Sequence, residues 1–327
     1  METVEIQIES KRYSTLLFFR RYGTLIALGL VVMFFSISAP RFTTIINFYN
    51  IIRQITVLFI LGAGETYALI DGEIDLSIGQ VAGCAGILAT GMQAAGAPTL
   101  LALIIALAVG LVFGFTNGII VARLRINSLI TTIAIGQIAY GITFLYTKGV
   151  PIIGLRESFI FFAAGKIFGI PTPFFIILAV FLLSDQHLRR TASGRRLYAV
   201  GYNPEASIMS GLNAERIKIL SFMITGLLSG FAGFVIMARM GSGQPTAGPG
   251  HLGNAIAVGF LGASVLREGE FHTLGTLVGA MFVGILVNGL TLFNVPYFFQ
   301  YIATGVVLLF AVILASAGKR ERIITNL

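Results

Sequence analysis

Four carboxylates lie close together in a part of the chain that is otherwise apolar. Glu65 stands inside the run "LGAGETYALI", and Asp71, Glu73 and Asp75 follow in "DGEIDLSIG". The chain has only 14 acidic residues in 327, so four of them within eleven positions is a strong concentration. Such side chains can accept hydrogen bonds from a polar ligand, cap a helix or take up a proton. Because an ionisable group within an apolar span is costly, Glu65 is the strongest functional candidate.

The composition around these carboxylates is that of a membrane protein. Hydrophobic residues make up 56% of the chain and charged residues 11%, whereas a soluble globular domain has roughly 25% charged residues. We therefore expect the chain to be embedded in a bilayer. The N-terminal segment, 1–21, is polar and lacks the small-residue cleavage site of a signal peptide. We predict that it lies in the cytoplasm and that the first apolar run is retained as a span.

Ten apolar runs are long enough to cross a membrane, which takes about 20 residues each. The sequence thus predicts an all-α integral membrane protein, a polytopic bundle of about ten transmembrane helices within 22–318. Gly110, Gly114 and Gly118 follow at four-residue steps, a spacing that allows close helix packing in lipid. The predicted spans are 22–40, 54–70, 76–92, 98–122, 126–147, 167–184, 219–238, 251–266, 272–293 and 296–317.

The distribution of Lys and Arg orients these spans. With the N-terminus in the cytoplasm, sixteen of the 22 basic residues fall on the inside. This bias predicts that both termini are cytoplasmic, including a short C-terminal tail, 319–327. The basic residues are spread between apolar runs, so the net charge of +8 does not indicate nucleic-acid binding. The six basic residues predicted outside are Arg41, Arg53, Lys148, Arg156, Lys166 and Arg239.

The longest polar stretch, 185–218, contains signals for a short helix. Asn203 can cap its start, Pro204 suits the first helical position, and Glu205 complements the positive end of the helix dipole. These residues predict a helix over 204–210 at the cytoplasmic face.

The residues at the end of this helix mark where it stops. Gly211 can adopt the left-handed conformation that ends a helix, and Asn213 can cap the next one. Ile208 and Met209 would be poor choices for a solvated connector. We therefore expect the helix to be presented to a cytoplasmic partner.

Motifs along most of the chain resemble, in order, those of the membrane permease subunit of ATP-binding-cassette (ABC) importers, in the ribose-type or simple-sugar group. The full "GEIDLSIG" pattern favours a sugar or a sugar-derived signal molecule as the solute. The motifs are "GEIDLSIG" (72–79), "GFTNGIIVARLRINSLITTIAI" (114–135), "VGYNPEASIMSGLN" (200–213), "NAIAVGFLGAS" (254–264) and "GTLVGAMFVGILVNGL" (275–290).

The resemblance implies that the loop at 200–213 meets a cytoplasmic ABC ATPase. The site residues for this coupling are Gly201, Asn203, Pro204, Glu205, Ala206 and Gly211. It also implies a substrate pathway, for which the candidate residues are Glu65, Asp75, Ser77, Asn117 and Asn254. Asn254 stands where an aspartate is common in the family, and Glu73 replaces a glycine.

Structural roles compete with the pathway role at these positions. Asp75 or Ser77 could instead cap the third span. Glu65 could form an interhelical hydrogen bond with Asn117 or Gln137. We also expect the charges near the end of the second span, Asp71 among them, to be solvated at the membrane interface.

The resemblance further implies how the chain is assembled and powered. The chain has no phosphate-binding P-loop, so it is not expected to be an enzyme, and ATP and Mg would be bound by the separate ATPase. We expect no cofactor, metal or catalytic residue in the chain itself. The implied partners are that ATPase, a periplasmic or surface-anchored substrate-binding protein, a second permease copy or homologue, and lipid of the bacterial inner membrane. Alternatives are a branched-chain amino acid or nucleoside ABC permease, or a proton-coupled secondary transporter.

Overall fold

The computed structural model describes residues 22–266 and 269–325, with side chains as far as residue 313. A short antiparallel hairpin, β1 (Lys166–Ile167) and β2 (Ile170–Pro171), interrupts an otherwise helical chain. The helices are α1 (Tyr22–Ser38), α2 (Ile45–Ile70), α3 (Ile78–Ala94), α4 (Thr99–Gly118), α5 (Ser128–Thr147), α6 (Glu157–Ala164), α7 (Thr172–Arg190), α8 (Ala192–Tyr202), α9 (Pro204–Met209), α10 (Ala214–Met240), α11 (Leu252–Ala263), α12 (Thr273–Leu292) and α13 (Tyr297–Thr325).

Each of the ten predicted spans overlaps one of these helices. In the described part of the chain, five stretches are long and apolar enough to cross a membrane, and Tyr22–Ser38 and Tyr297–Ile313 are shorter apolar helices. This architecture is that of a polytopic helical membrane protein. The five long stretches are Ile45–Ile70, Thr99–Arg123, Ser128–Thr147, Ala214–Met240 and Thr273–Leu292.

Helix α2 begins earlier than the predicted start at 54. The Thr44 hydroxyl accepts a hydrogen bond from the backbone N–H of Asn47 and thereby caps the helix. Asn47 is itself buried, because its amide pairs with the Asn288 amide, with donor–acceptor distances of 3.0 and 2.9 Å. Hydropathy alone places such polar residues outside the membrane, whereas the amide pair lets them lie inside the protein.

Other elements were not predicted. The hairpin occupies the predicted start of the sixth span, so α7 begins at Thr172 instead of 167. Helices α6 and α8 lie in stretches that were predicted only as connections. The predicted tail from 319 continues α13 as far as Thr325, whereas the predicted segment 1–21 lies outside the described residues.

The glycine steps of α4 form its contact with α10, as predicted. A side chain at Gly110 would overlap the carbonyl oxygen of Gly226, and one at Gly114 would overlap that of Phe222. At Gly118 an added Cβ would lie 2.8 Å from the Cα of Ile219. The two backbones therefore touch along three turns, an approach that only glycine allows.

Candidate functional site

The predicted short helix in the polar loop is present as α9. The Asn203 side chain caps it by accepting a hydrogen bond from the Ala206 N–H at 2.9 Å, and Pro204 and Glu205 occupy its first turn. Gly211 has a φ of +82°, the left-handed conformation that ends the helix.

The surface of α9 is apolar and uncovered. Met209 is 90% exposed and Ile208 59%, so both side chains are available to a partner. Just beyond them, the Asn213 side chain caps α10 by accepting from the Arg216 N–H at 2.9 Å. Helix α9 thus lies between α8 and the capped start of α10.

Helix α8 connects α9 to the end of α2. A Cβ at Gly201 would overlap the carbonyl oxygen of Ile70, so the two backbones are in direct contact there. Helix α8 is held from a second direction by Tyr198, whose hydroxyl donates to the carbonyl oxygen of Phe271 at 2.7 Å. Helix α9 is therefore linked through α8 to the last turn of α2.

Helix α2 ends in a Schellman motif. Gly72 has a φ of +82°, its N–H donates to the Leu69 carbonyl, and the Glu73 N–H donates to the Ala68 carbonyl at 2.9 Å. The chain then reverses, and we name the segment that follows, 73–77, the returning segment.

The returning segment runs back beside α2 and is held by side chains. The Asp75 N–H donates to Oε1 of Glu65 at 3.2 Å, and the Leu76 N–H donates to the Thr132 hydroxyl at 3.0 Å. Because Glu65 lies five residues before the helix end at Ile70, the segment returns by about 7.5 Å, at 1.5 Å per helical residue. It lies inside the bundle, between α2 and α5.

Asp75 is the centre of the hydrogen bonds in the returning segment. Its Oδ1 accepts from the Ser77 N–H at 2.8 Å and from the Ser77 hydroxyl at 2.5 Å. The Asn117 amide donates to the Ser77 hydroxyl at 2.9 Å and to Asp75 Oδ2 at 3.4 Å. Four predicted pathway residues, Glu65 included, thus form one buried cluster.

The expectation that the charges after α2 are solvated is wrong for Asp71 and Asp75. Both are buried, and neither oxygen of Asp71 has a hydrogen-bond partner among the described residues. Burial raises the pKa of Asp71 to about 8, although the positive charge of Lys218 lowers it and Glu73 raises it further. Glu73 accepts from the Lys218 ammonium at 2.6 Å. Of these three carboxylates, Glu73 alone forms an ion pair with a described residue.

Several sequence-based alternatives are also corrected. Ser77 is at the N-cap position of α3, but its hydroxyl does not cap the helix because it donates to Asp75. Glu65 does not bond to Asn117, which serves Asp75 and Ser77 instead, nor to Gln137, which is exposed. The predicted interhelical bond is replaced by the bond to the returning segment.

Asn254 is not part of the buried cluster. It lies half-buried in the first turn of α11, and its side chain has no hydrogen bond with the described residues. Helix α11 approaches the cluster at Gly259 instead, where an added Cβ would lie 3.8 Å from Cγ of Glu65.

Sequence reasoning missed two residues of this site. Thr132 holds the Leu76 N–H, and Lys218 pairs with Glu73. Thr132 lies 56 positions from its partner and Lys218 145 positions from Glu73, so no local pattern could have linked them. The only available signal was that Lys218 opens a membrane helix next to the predicted cytoplasmic loop.

The cluster contains oxygen acceptors that are not used in hydrogen bonds with described residues. It does not have the set of side chains that a metal site needs. Glu65 Oε2 and Asn117 Oδ1 are buried and have no partner in the part of the chain that the structure describes. Within the same ranges, no group of three or more His, Cys, Asp or Glu side chains could hold a metal ion. Acceptors of this kind can receive hydrogen bonds from hydroxyl donors.

A family model described as "Branched-chain amino acid transport system / permease component" matches residues 47–316. The chain belongs to this permease family. No solved structure matches the permease. The importer-permease class predicted from the motifs is thereby confirmed.

Named relatives of the permease transport sugars. It is 37% identical to the ribose import permease protein RbsC of Escherichia coli (strain K12), over 94% of the chain and 97% of the relative. It is 31% identical to the L-arabinose ABC transporter permease protein AraH of Azospirillum brasilense, over 90% and 88%. It is also 31% identical to the D-allose transport system permease protein AlsC of E. coli, over 94% of each. These relatives are transport permeases, not enzymes.

Proposed function

We propose that the chain is the transmembrane permease subunit of an ATP-driven ABC importer that translocates a monosaccharide. The observation that carries this proposal is the similarity, over nearly the whole chain, to permeases named for ribose, arabinose and allose. The solute crosses the membrane without any covalent change. ATP and Mg would be bound by a separate cytoplasmic ATPase, and a substrate-binding protein would deliver the sugar on the other side.

Coupling to the ATPase takes place at α9. The exposed Ile208 and Met209 provide the contact, and Gly201 and Gly211 allow α9 to be joined closely to α2 and α10. Because the Glu73–Lys218 ion pair links the returning segment to the start of α10, a movement of α9 reaches the buried cluster by two routes. Coupling is therefore mechanical, through backbone contacts and one ion pair.

The sugar pathway passes beside the returning segment. Sugars are neutral and polyhydroxylated, so acceptors such as Glu65, Asp75 and Asn117 and the hydroxyl of Ser77 are suitable partners. All four are buried in this conformation, so the pathway opens only when the returning segment moves. Asn254, which lies on α11 outside the buried cluster, would face the sugar at a different depth in the membrane.

The membrane arrangement completes the proposal. Ten spans cross the bacterial inner membrane, with both termini and α9 in the cytoplasm, and a second permease copy or a homologue forms the other half of the pathway. The basic residues near α9 support this orientation.

Reconstitution tests the proposed function. The chain would be placed in proteoliposomes with its ATPase and binding protein, and uptake of ribose, arabinose and allose would be measured with and without ATP. Because the family description names branched-chain amino acids, leucine uptake would be measured as the alternative. We expect ATP-dependent uptake of a sugar that persists when an ionophore collapses the proton gradient. Uptake of leucine alone, or uptake driven by the proton gradient without ATP, would contradict the proposal.

A further inference from the structure

A polar cavity of about 480 Å³ opens at the end of the bundle opposite α9. Helix α2 ends at Ile70 beside α8, and Arg53 lies 17 residues earlier, about 25 Å along the helix at 1.5 Å per residue. Arg239 occupies the last turn of α10, which begins beside α9. The polar residues that line the cavity include Asn50, Arg53, Gln54, Arg239, Asn288 and Gln300.

The two arginines in this cavity lack a counter-charge. Nε of Arg53 is buried without an acceptor among the described residues, and Arg239, which is partly open to solvent, forms no ion pair or hydrogen bond with any of them. The two guanidinium groups are close enough for their positive charges to repel each other. Because arginine does not lose its proton in proteins, this repulsion cannot be relieved by neutralisation.

Two other basic residues at this face have partners within the chain. Lys166 lies over the ring of Tyr49, 4.6 Å from its centre, and Arg156 donates to the Gly96 carbonyl at 2.9 Å. The segments that the topology assigns to this face contain one acid, Glu157, and no ion pair in the described ranges involves it. His251, whose Nδ1 is buried without a partner, is near enough to Arg239 to sense its charge.

We propose that this cavity binds a phosphate group. A guanidinium presents a planar fork of N–H donors that fits the oxygens of an oxyanion, and the surrounding amides of Asn50 and Gln54 add neutral donors. Phosphate has more acceptor oxygens than a carboxylate, so it can serve both arginines at once. The cavity thus has the donors and the charge for phosphate and no acid to compete with it.

The phosphate can come from a lipid headgroup or from the aqueous phase. The cavity lies where α10 and α12 end and α13 begins, and exposed Tyr297 and Phe298 stand at that end of α13. Exposed aromatic residues of this kind mark the headgroup level of a membrane protein. In the proposed function this end of the bundle lies at the outer leaflet of the membrane. That placement alone rests on the proposed function.

The thermal stability of the purified chain in nanodiscs tests the site. In the first arm, inorganic phosphate would be titrated at constant ionic strength into the protein in phosphatidylcholine nanodiscs. In the second arm, the nanodiscs would contain phosphatidylglycerol. We expect a saturable rise in Tm in at least one arm, because a ligand that binds only the folded state stabilises it. A rise with inorganic phosphate identifies a soluble phosphate, whereas a rise with phosphatidylglycerol alone identifies the headgroup.

Variants localise the effect. The double variant Arg53→Gln, Arg239→Gln should weaken binding by about tenfold or more, whereas Arg41→Gln, an exposed arginine outside the cavity, should leave it unchanged. Arg53→Lys keeps the positive charge but loses the planar fork of N–H donors. This variant replaces the double variant in the test if the double variant does not fold. The proposal is overturned if the wild type shows no saturable shift in either arm, or if the cavity variants respond like the wild type. No transport assay enters, so this outcome is independent of the proposed function.

Discussion

Each carboxylate of the acidic stretch has a different environment, although the four are close in sequence. Glu65 holds the returning segment, Asp75 organises Ser77 and Asn117, and Glu73 pairs with Lys218. Asp71 is buried and has no hydrogen-bond partner among the described residues. The differences arise because the Schellman turn after α2 sends the chain back into the bundle. A pathway residue and a positioning residue can therefore be neighbours, and substitution can separate their roles.

Glu65 acts through one oxygen, and this predicts how its variants behave. Glu65→Gln keeps an acceptor for the Asp75 N–H, so we expect sugar uptake to remain within about threefold of the wild type. Glu65→Leu leaves that buried N–H unpaired, which costs about 1–3 kcal/mol and should lower both Tm and uptake. Reconstituted uptake and thermal unfolding of the two variants provide the measurement. A loss of uptake in Glu65→Gln as large as that in Glu65→Leu would contradict this acceptor role.

Asp71 should make the stability of the protein depend on pH. Its pKa in the folded protein, about 8, is above the ordinary value of 3.8, so the folded state holds the proton more tightly than the unfolded state. Stability is then highest below pH 4 as far as this group is concerned, and falls as the pH rises towards 8. We expect Asp71→Asn to raise Tm more at pH 8 than at pH 5. Equal shifts at the two pH values would contradict this assignment.

The bounds of a helix could be predicted from the sequence where they are set by neighbouring residues, and not where they depend on distant contacts. Helix α9 was predicted almost to the residue, because Asn203, Pro204 and Gly211 act on their immediate neighbours. The start of α2 was misplaced, because the burial of Asn47 depends on Asn288, 241 positions away. Glu65 and Asp75 could be recognised from their immediate sequence, as α9 could. The hydrogen bond between them could not be predicted, because it depends on the chain reversal at Gly72.

Helix α9 should lose its coupling function when its stop is strained. No atom lies within 4 Å of a Cβ built at Gly211, so the effect of substitution comes from its φ of +82° and not from crowding. Left-handed backbone costs an ordinary L-residue about 1–2 kcal/mol, whereas asparagine tolerates it better. We expect Gly211→Val to lower sugar uptake per ATP hydrolysed and Gly211→Asn to preserve it. Wild-type uptake by the valine variant, with the ATPase still docked, would refute this role.

At the scale of the whole molecule, two irregular segments enter the bundle from opposite ends. The returning segment follows the end of α2 beside α8, and the stretch 241–251 follows the far end of α10. The stretch 241–251 contacts α3 just after the returning segment, where Gly248 packs against Gly79 and Gly83. Interrupted backbone at this depth is tolerated where protein surrounds it or where it lines a solute pathway. The glycine contact therefore surrounds part of the stretch 241–251 with protein.

The same architecture predicts that α7 crosses the membrane, although it is not among the five long apolar stretches. Helix α7 alone joins the hairpin to α8, so Phe168 and Met209, which are 98% and 90% exposed, should lie on opposite sides. Single cysteines at these two positions, in a Cys84→Ser background that removes the buried native thiol, can be tested with a membrane-impermeant maleimide on right-side-out vesicles. We expect labelling of Phe168→Cys in intact vesicles and of Met209→Cys only after permeabilisation. Labelling of both in intact vesicles would mean that α7 does not cross, and the reverse pattern would place α9 outside, where no cytoplasmic ATPase could reach it.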